Sequence, residues 1–222
     1  MNNFSLKYYR NMLEKALNNG FIISSFKNYD SKNKKTIILR HDIDFSLNSI
    51  KEIAQIEKDL NITSTFFFRL HSPNYNIYAS NTFKILQDLK NKNHEIGLHF
   101  ETILFSKIFD LDLEELFLNE IHVFERITNE KVKSISEHSD VNNTIYSLPK
   151  LEIYLDFSKF NLNYAYDRKF FKNMKYISDS NGIWRDGDIL KNLNFEKLQV
   201  LIHPELWADN PRTYDHLVHH EK

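Results

Sequence analysis

Cysteine is absent from the 222-residue sequence. That removes disulfides, thiolate metal sites and a thiol nucleophile at once. Any bound metal must then rely on His and carboxylate ligands. Glycine and proline are scarce, at 4 each, which argues against collagen-like, linker-rich and repeat-array architectures. No charge of one sign dominates: the formal net charge is -1. Without a basic stripe, neither nucleic acid nor an anionic membrane is an expected partner. No run approaches the roughly 18 apolar residues of a membrane span. The N-terminal MNNFSLKYYRNMLEKAL lacks the continuous apolar segment of a secretory signal, so the expected compartment is the cytoplasm. The sequons at Asn61 and Asn143 carry no weight there.

What is present is a globular composition, with 41% apolar and 27% charged residues. The length suits one domain over residues 1–222, because α/β barrels reach this size as single units. Helical periodicity covers residues 4–18, with Leu6, Tyr9, Leu13, Ala16 and Leu17 on one face and Gly20 at the C-terminal cap. A short apolar stretch, 21–23, follows. Strand-like runs at 36–39, 64–68, 95–99 and 132–136 then alternate with helical patterns at 48–60, 82–91 and 113–127. The 82–91 helix is expected to bury Phe83, Leu86 and Leu89. Further strands are expected near 162–166, 176–178 and 199–203. This alternation implies right-handed βαβ units and a parallel sheet of about seven strands, in an incomplete or distorted barrel or in an open doubly wound sheet. No GxGxxG or P-loop pattern occupies a strand-to-helix turn.

Chemistry concentrates at strand ends, where parallel α/β folds build their sites. In TIILRHDIDFS a buried strand runs into Arg40, His41, Asp42 and Asp44. A period of two places Asp42 and Asp44 on one side if the strand continues that far. Close carboxylates can divide the work of binding a cation and acting as a base. A helix-capping Asp would explain one of them and not the whole cluster. In NHEIGLHFE, His99 ends a strand and Glu101 follows, while His94, five residues before His99 and on the other face, reads as structural. In VLIHPELW, a strand ends at His203, a general acid suited to neutral pH. ISEHSD places His138 and Asp140 after a fourth strand, and YISDSNGIWRDGD places Asp179, Trp184 and Arg185 after another. Either segment suits a sugar site, although a polar loop with a core Trp explains them equally. His216, His219 and His220 fall in a polar tail and read as exposed.

The ordered set RHDID, STFFFR, HEIGLHFE, YISDSNGIWRDG and LIHPELW, spread over residues 36–207, resembles the NodB-homology polysaccharide deacetylases, or carbohydrate esterase family 4. It is most similar to a branch found in surface-polysaccharide (O-antigen type) biosynthesis. The resemblance implies a distorted (β/α)7 barrel holding one divalent metal, most often zinc, with nickel, cobalt or manganese as alternatives. It implies Asp42 as base and Asp44 as ligand, although Ile43 between them makes the pair reversible. His99 matches the first His ligand. The second family His would fall on Ile103, so Glu101 or His138 must fill that position, with His138 favoured. His203 matches the residue that protonates the leaving group. Arg40, Arg69, Glu101, Asp179, Trp184 and Arg185 are the expected substrate-binding residues, with Arg40 or Arg185 orienting Asp42. The implied reaction removes an acetyl or formyl group from the nitrogen of an amino sugar, small or linked to a nucleotide or lipid. A catalytically silent barrel that binds glycan or a partner protein is the alternative, motivated by the missing His.

Overall fold

The computed structural model describes residues 4–138, 155–172 and 174–208. Asp140, Asn143 and the histidines of the tail lie outside the described residues. The elements run α1 (Leu6–Asn18), β1 (Ile22–Ser24), β2 (Thr36–Ile43), α2 (Ile50–Asp59), β3 (Thr65–Phe68), α3 (Ser80–Asn91), β4 (Glu95–Phe100), α4 (Thr102–Phe109), α5 (Leu113–Thr128), β5 (Ser134–Glu137), β6 (Asn163–Tyr164), β7 (Lys175–Ser178) and β8 (Lys197–Ile202). No helix among the described residues is long and apolar enough to cross a membrane.

Every strand pairing among the described residues is parallel. The hydrogen-bonded order is β6-β5-β4-β3-β2-β8-β7, with β1 beside the start of β2. Read as a ring, β2 to β8 follow one another in chain order, open at a single seam between β6 and β7. Contacts across the interior show the curl. Gln199 on β8 donates through Nε2 to the carbonyl of Ala165 just beyond β6, at 3.0 Å. The Arg40 guanidinium on β2 reaches the Tyr166 hydroxyl at 2.8 Å. The fold is therefore the expected parallel α/β barrel of seven strands, incomplete at one seam, and not an open doubly wound sheet.

The strand period of two decides what faces inward. On β2, Ile37, Leu39 and Ile43 join the large core between strands and helices. Ile38 turns inward, into a small plug with Phe26, Phe67, Ala165, Phe170 and Met174. Successive inward residues on β2 then become Arg40, Asp42 and, one step past the strand end, Asp44. Gly97 on β4 is required by close approach: a Cβ there would lie 2.5 Å from the Phe67 ring and 2.9 Å from the Ser134 carbonyl.

On the outer face a polar group is buried and satisfied. Glu57 of α2 accepts from Tyr9 of α1 at 2.5 Å and from Ser64 at 2.5 Å, and pairs with His41 of β2 at 2.7 Å. His94 sits 3.5 Å from the same carboxylate, so it is structural, as its position in the sequence suggested. Two details differ from expectation. Phe83 is half exposed, because α3 buries Thr82, Ile85, Leu86 and Leu89, a face that residue 83 misses by one position. Residues 102–109 form a helix, α4, that the short apolar run TILFSKIF did not announce.

Candidate metal centre

Parallel strands bring all their C-terminal ends to one mouth of the barrel. Asp42 and Asp44 arrive there from β2, His99 from β4, His138 from β5 and His203 from β8. They line one cavity of about 340 Å³, which is also walled by Phe45, Tyr166, Tyr176, Ser180, Asn181 and Glu205.

Asp44 is the hub. Its Oδ1 lies 3.1 Å from Nε2 of His99 and 3.7 Å from Nε2 of His138. Its Oδ2 lies 3.5 Å from Nε2 of His203. One ligand atom each from Asp44, His99 and His138 fall within 4.8 Å of one another, the one such grouping of potential metal ligands among the described residues. Asp44 Oδ1 is buried and makes no aligned hydrogen bond. Each imidazole has its Nδ1 engaged on the side away from Asp44. That of His99 lies 3.0 Å from the Ser136 carbonyl, that of His138 lies 3.5 Å from Glu101, and that of His203 lies 2.6 Å from Asp179. Partners of this kind fix tautomer and ring orientation, and for His99 and His138 they leave Nδ1 as donor and Nε2 presented as a lone pair. An Asp/His/His set of oxygen and nitrogen atoms, with no sulfur, suits zinc and its first-row neighbours.

The charges follow from burial and proximity. Burial alone would raise the Asp44 carboxyl, but His203 and His99 hold it well below its ordinary value. Burial would lower His99, yet Asp42 and Asp44 raise it. Burial would likewise lower His203, and Asp179, then Asp44, hold it well above the usual imidazole range. Glu205 is the opposite case: burial dominates, and its carboxyl is pushed up to about 8.

Asp42 is joined to the fully buried Arg40 at 2.8 Å, and its Oδ1 has no hydrogen bond among the described residues. Arg40 is itself held by Gln199 at 3.4 Å and stacked on Tyr166, 4.8 Å from the ring centre. Of the two arginines considered as partners of Asp42, it is Arg40 that contacts it. Arg185 is exposed and does not line the cavity. Trp184 packs against the core, 6.4 Å from Trp207, and is also absent from the lining. Asp179 has no exposed surface and spends its oxygens on His203 and on the Trp207 indole N–H at 2.8 Å. Arg69 and Glu101 form a buried two-pronged ion pair, at 3.0 and 2.7 Å, behind the cavity wall. Ile103 falls in α4, and its side chain lies outside those described.

Sequence reasoning missed Tyr166, Tyr176, Phe45 and Glu205. Glu205 was within reach, being an acidic residue two places after His203. Tyr166 follows the two-residue β6 and Tyr176 lies on the four-residue β7, strands too short for periodicity to mark.

No protein-family profile and no curated protein matches the chain. Solved structures similar to it include a family 4 carbohydrate esterase from Bacillus anthracis, at 18% identity, covering 95% of this chain and 81% of that one with a TM-score of 0.47. The peptidoglycan deacetylase PdaC from Bacillus subtilis is 14% identical over 85% of this chain and 83% of its own, with a TM-score of 0.48. A pseudoenzyme of the same esterase family from Bacillus anthracis is 15% identical over 84% and 60%, with a TM-score of 0.44.

Proposed function

We propose that the chain is a metal-dependent hydrolase that removes an N-acyl group, acetyl or formyl, from an amino sugar. The observation that carries this reading is the convergence of Asp44, His99 and His138 within 4.8 Å at one barrel mouth, beside a carboxylate and an imidazole that each have their own buried partner. The order of sequence motifs supports the same reading.

Asp44 Oδ1 and Nε2 of His99 and of His138 would hold the ion. A divalent ion bound there supplies Lewis acidity toward the acyl carbonyl and lowers the pKa of a neighbouring water. Asp42, paired with Arg40, takes a proton from the attacking water. His203 carries its proton on Nε2, stabilised from behind by Asp179, and gives it to the departing amine when the C–N bond breaks. Asp42 and His203 thus divide base and acid duties between a carboxylate and an imidazole, each held by its own partner. Tyr166 and Tyr176 offer aromatic faces for a sugar ring, and a volume of about 340 Å³ suits one sugar residue with its acyl group. A substrate presented as a free, nucleotide-linked or lipid-linked amino sugar fits such a cavity.

The test is acetate or formate release from N-acetyl and N-formyl amino sugars, free and nucleotide-linked, alongside metal analysis of the same protein. Wild type is expected to bind one equivalent of zinc and to release acid, and Asp44→Ala to lose both. Full metal content and full activity in Asp44→Ala would overturn the reading, as would stoichiometric metal without amide hydrolysis on any of these sugars.

A further inference from the structure

The position that the resemblance gives to a second His, four residues after His99, holds Ile103 in this chain. The third ligand atom of the cluster comes instead from His138, on a different strand. A ligand from a separate strand lacks the local backbone that ties two histidines of one helical turn together. Something else must hold it in register.

The strand ladder supplies the placement. Phe100 of β4 pairs with Glu137 of β5, so the next residues out, Glu101 and His138, are neighbours across the ladder. The His138 backbone N–H donates to the Phe100 carbonyl at 2.9 Å. Glu101 then lies 3.5 Å from Nδ1 of His138 while Nε2 of the same ring faces Asp44. Glu101 is 5% exposed and is absent from the cavity lining, so it faces the ligand and not the substrate space. Arg69 grips both oxygens of Glu101 through Nε and Nη2 and, through Nη1, donates to the main-chain carbonyl of Asp44 at 3.0 Å. One guanidinium therefore ties the end of β2, which carries Asp44, to the end of β4, whose Glu101 steadies the ligand from β5. The register supports this, because Ile43 pairs with Phe68 and so sets Asp44 beside Arg69.

We infer that Arg69 and Glu101 are a positioning pair for the metal centre, fixing the ring of His138 and the backbone of Asp44, and are not substrate-binding residues. The inference rests on the proposed metal site. Carboxylates behind a ligating imidazole set its tautomer and orientation, and their loss typically lowers metal affinity about 10- to 100-fold.

Zinc affinity, measured by competition with a chromophoric chelator on the full chain, tests this without recourse to activity. Removing only the carboxylate would leave a buried guanidinium unpaired, which is strongly destabilising. Replacing both partners with apolar residues of similar size is often tolerated. The double variant Arg69→Met/Glu101→Met is therefore the main probe, with Glu101→Gln as the milder one and circular dichroism melting of the zinc-free proteins as the check on folding. The expected result is a loss of zinc affinity of about 10- to 100-fold in the double variant and a smaller loss in Glu101→Gln, with zinc-free melting close to wild type. Wild-type zinc affinity in both folded variants, with His138→Ala and Asp44→Ala still losing it, would overturn the positioning pair and leave the metal site standing. Wild type that binds no zinc would overturn both.

Discussion

Asp179 illustrates how a residue can matter to a site without reaching it. It has no exposed surface, and both its oxygens are committed to His203 and Trp207. Its expected role in holding substrate gives way to one of holding an imidazole. Asp179→Asn keeps the shape but removes the charge that holds the proton on His203. It is expected to lower kcat by about 10²- to 10⁴-fold while zinc content stays at one equivalent, measured by steady-state kinetics and metal analysis. At this scale the sequence was informative wherever a strand announced its own end. Asp42, Asp44, His99 and His203, which line one cavity, stood out in the sequence because each follows a β-branched or apolar run. The period of two links them in the fold, since Arg40, Asp42 and Asp44, then His99 and Glu101, each step by two. Arg185 and Trp184 were misleading because a loop's polarity does not say which way it points. Tyr166 and Tyr176 were invisible because nothing in the sequence says that a barrel seam will set them beside Arg40.

Among the elements, β2 was the most underestimated. Residues 36–39 read as a strand, yet it continues to Ile43 with every residue buried. Hydropathy stops at Arg40 because it takes a charge for a surface, whereas Arg40, His41 and Asp42 each meet a partner inside. Glu57 is that partner for His41. Burial would raise the Glu57 carboxyl, but His41, His94 and Ser64 lower it below its ordinary value. Burial keeps His94 below its own ordinary value despite Glu57. A carboxyl depressed in the folded state contributes stability above its unfolded pKa, about 4.3, and loses it as pH falls through the folded value. An imidazole depressed in the folded state likewise costs stability once the unfolded chain protonates below about 6.5. Glu57→Gln is therefore expected to be less stable by about 3 kcal/mol near neutral pH, with the gap to wild type narrowing in acid, as read by urea denaturation across pH. Strand β4 makes a different demand. Gly97→Ala forces a methyl against the Phe67 ring and the Ser134 carbonyl, and should cost about 1–3 kcal/mol by the same measurement.

For the whole molecule, the alternation of strands and helices was enough to anticipate a parallel sheet with right-handed crossovers, while the choice of a barrel over an open doubly wound sheet came from the resemblance of the motifs. The seam between β6 and β7 was not foreseeable, since β6 is only two residues long and short strands leave almost no periodic signal. A metal that binds the folded barrel but not the unfolded chain adds to its stability. At zinc concentrations of 100 times Kd the gain is about 2.7 kcal/mol, so melting should rise by roughly 5–10 °C in a scanning fluorescence experiment, and not at all in Asp44→Ala. The two limits of the described chain also meet. The Ala208 N–H donates to the Phe4 carbonyl at 3.0 Å, and the rings of Phe4 and Tyr9 pack edge-on against Trp207 at 5.1 and 5.2 Å. Trp207 in turn holds Asp179, and Asp179 holds His203. Fraying of the first helix would therefore loosen the setting of His203, the proposed proton donor, while the barrel still stood.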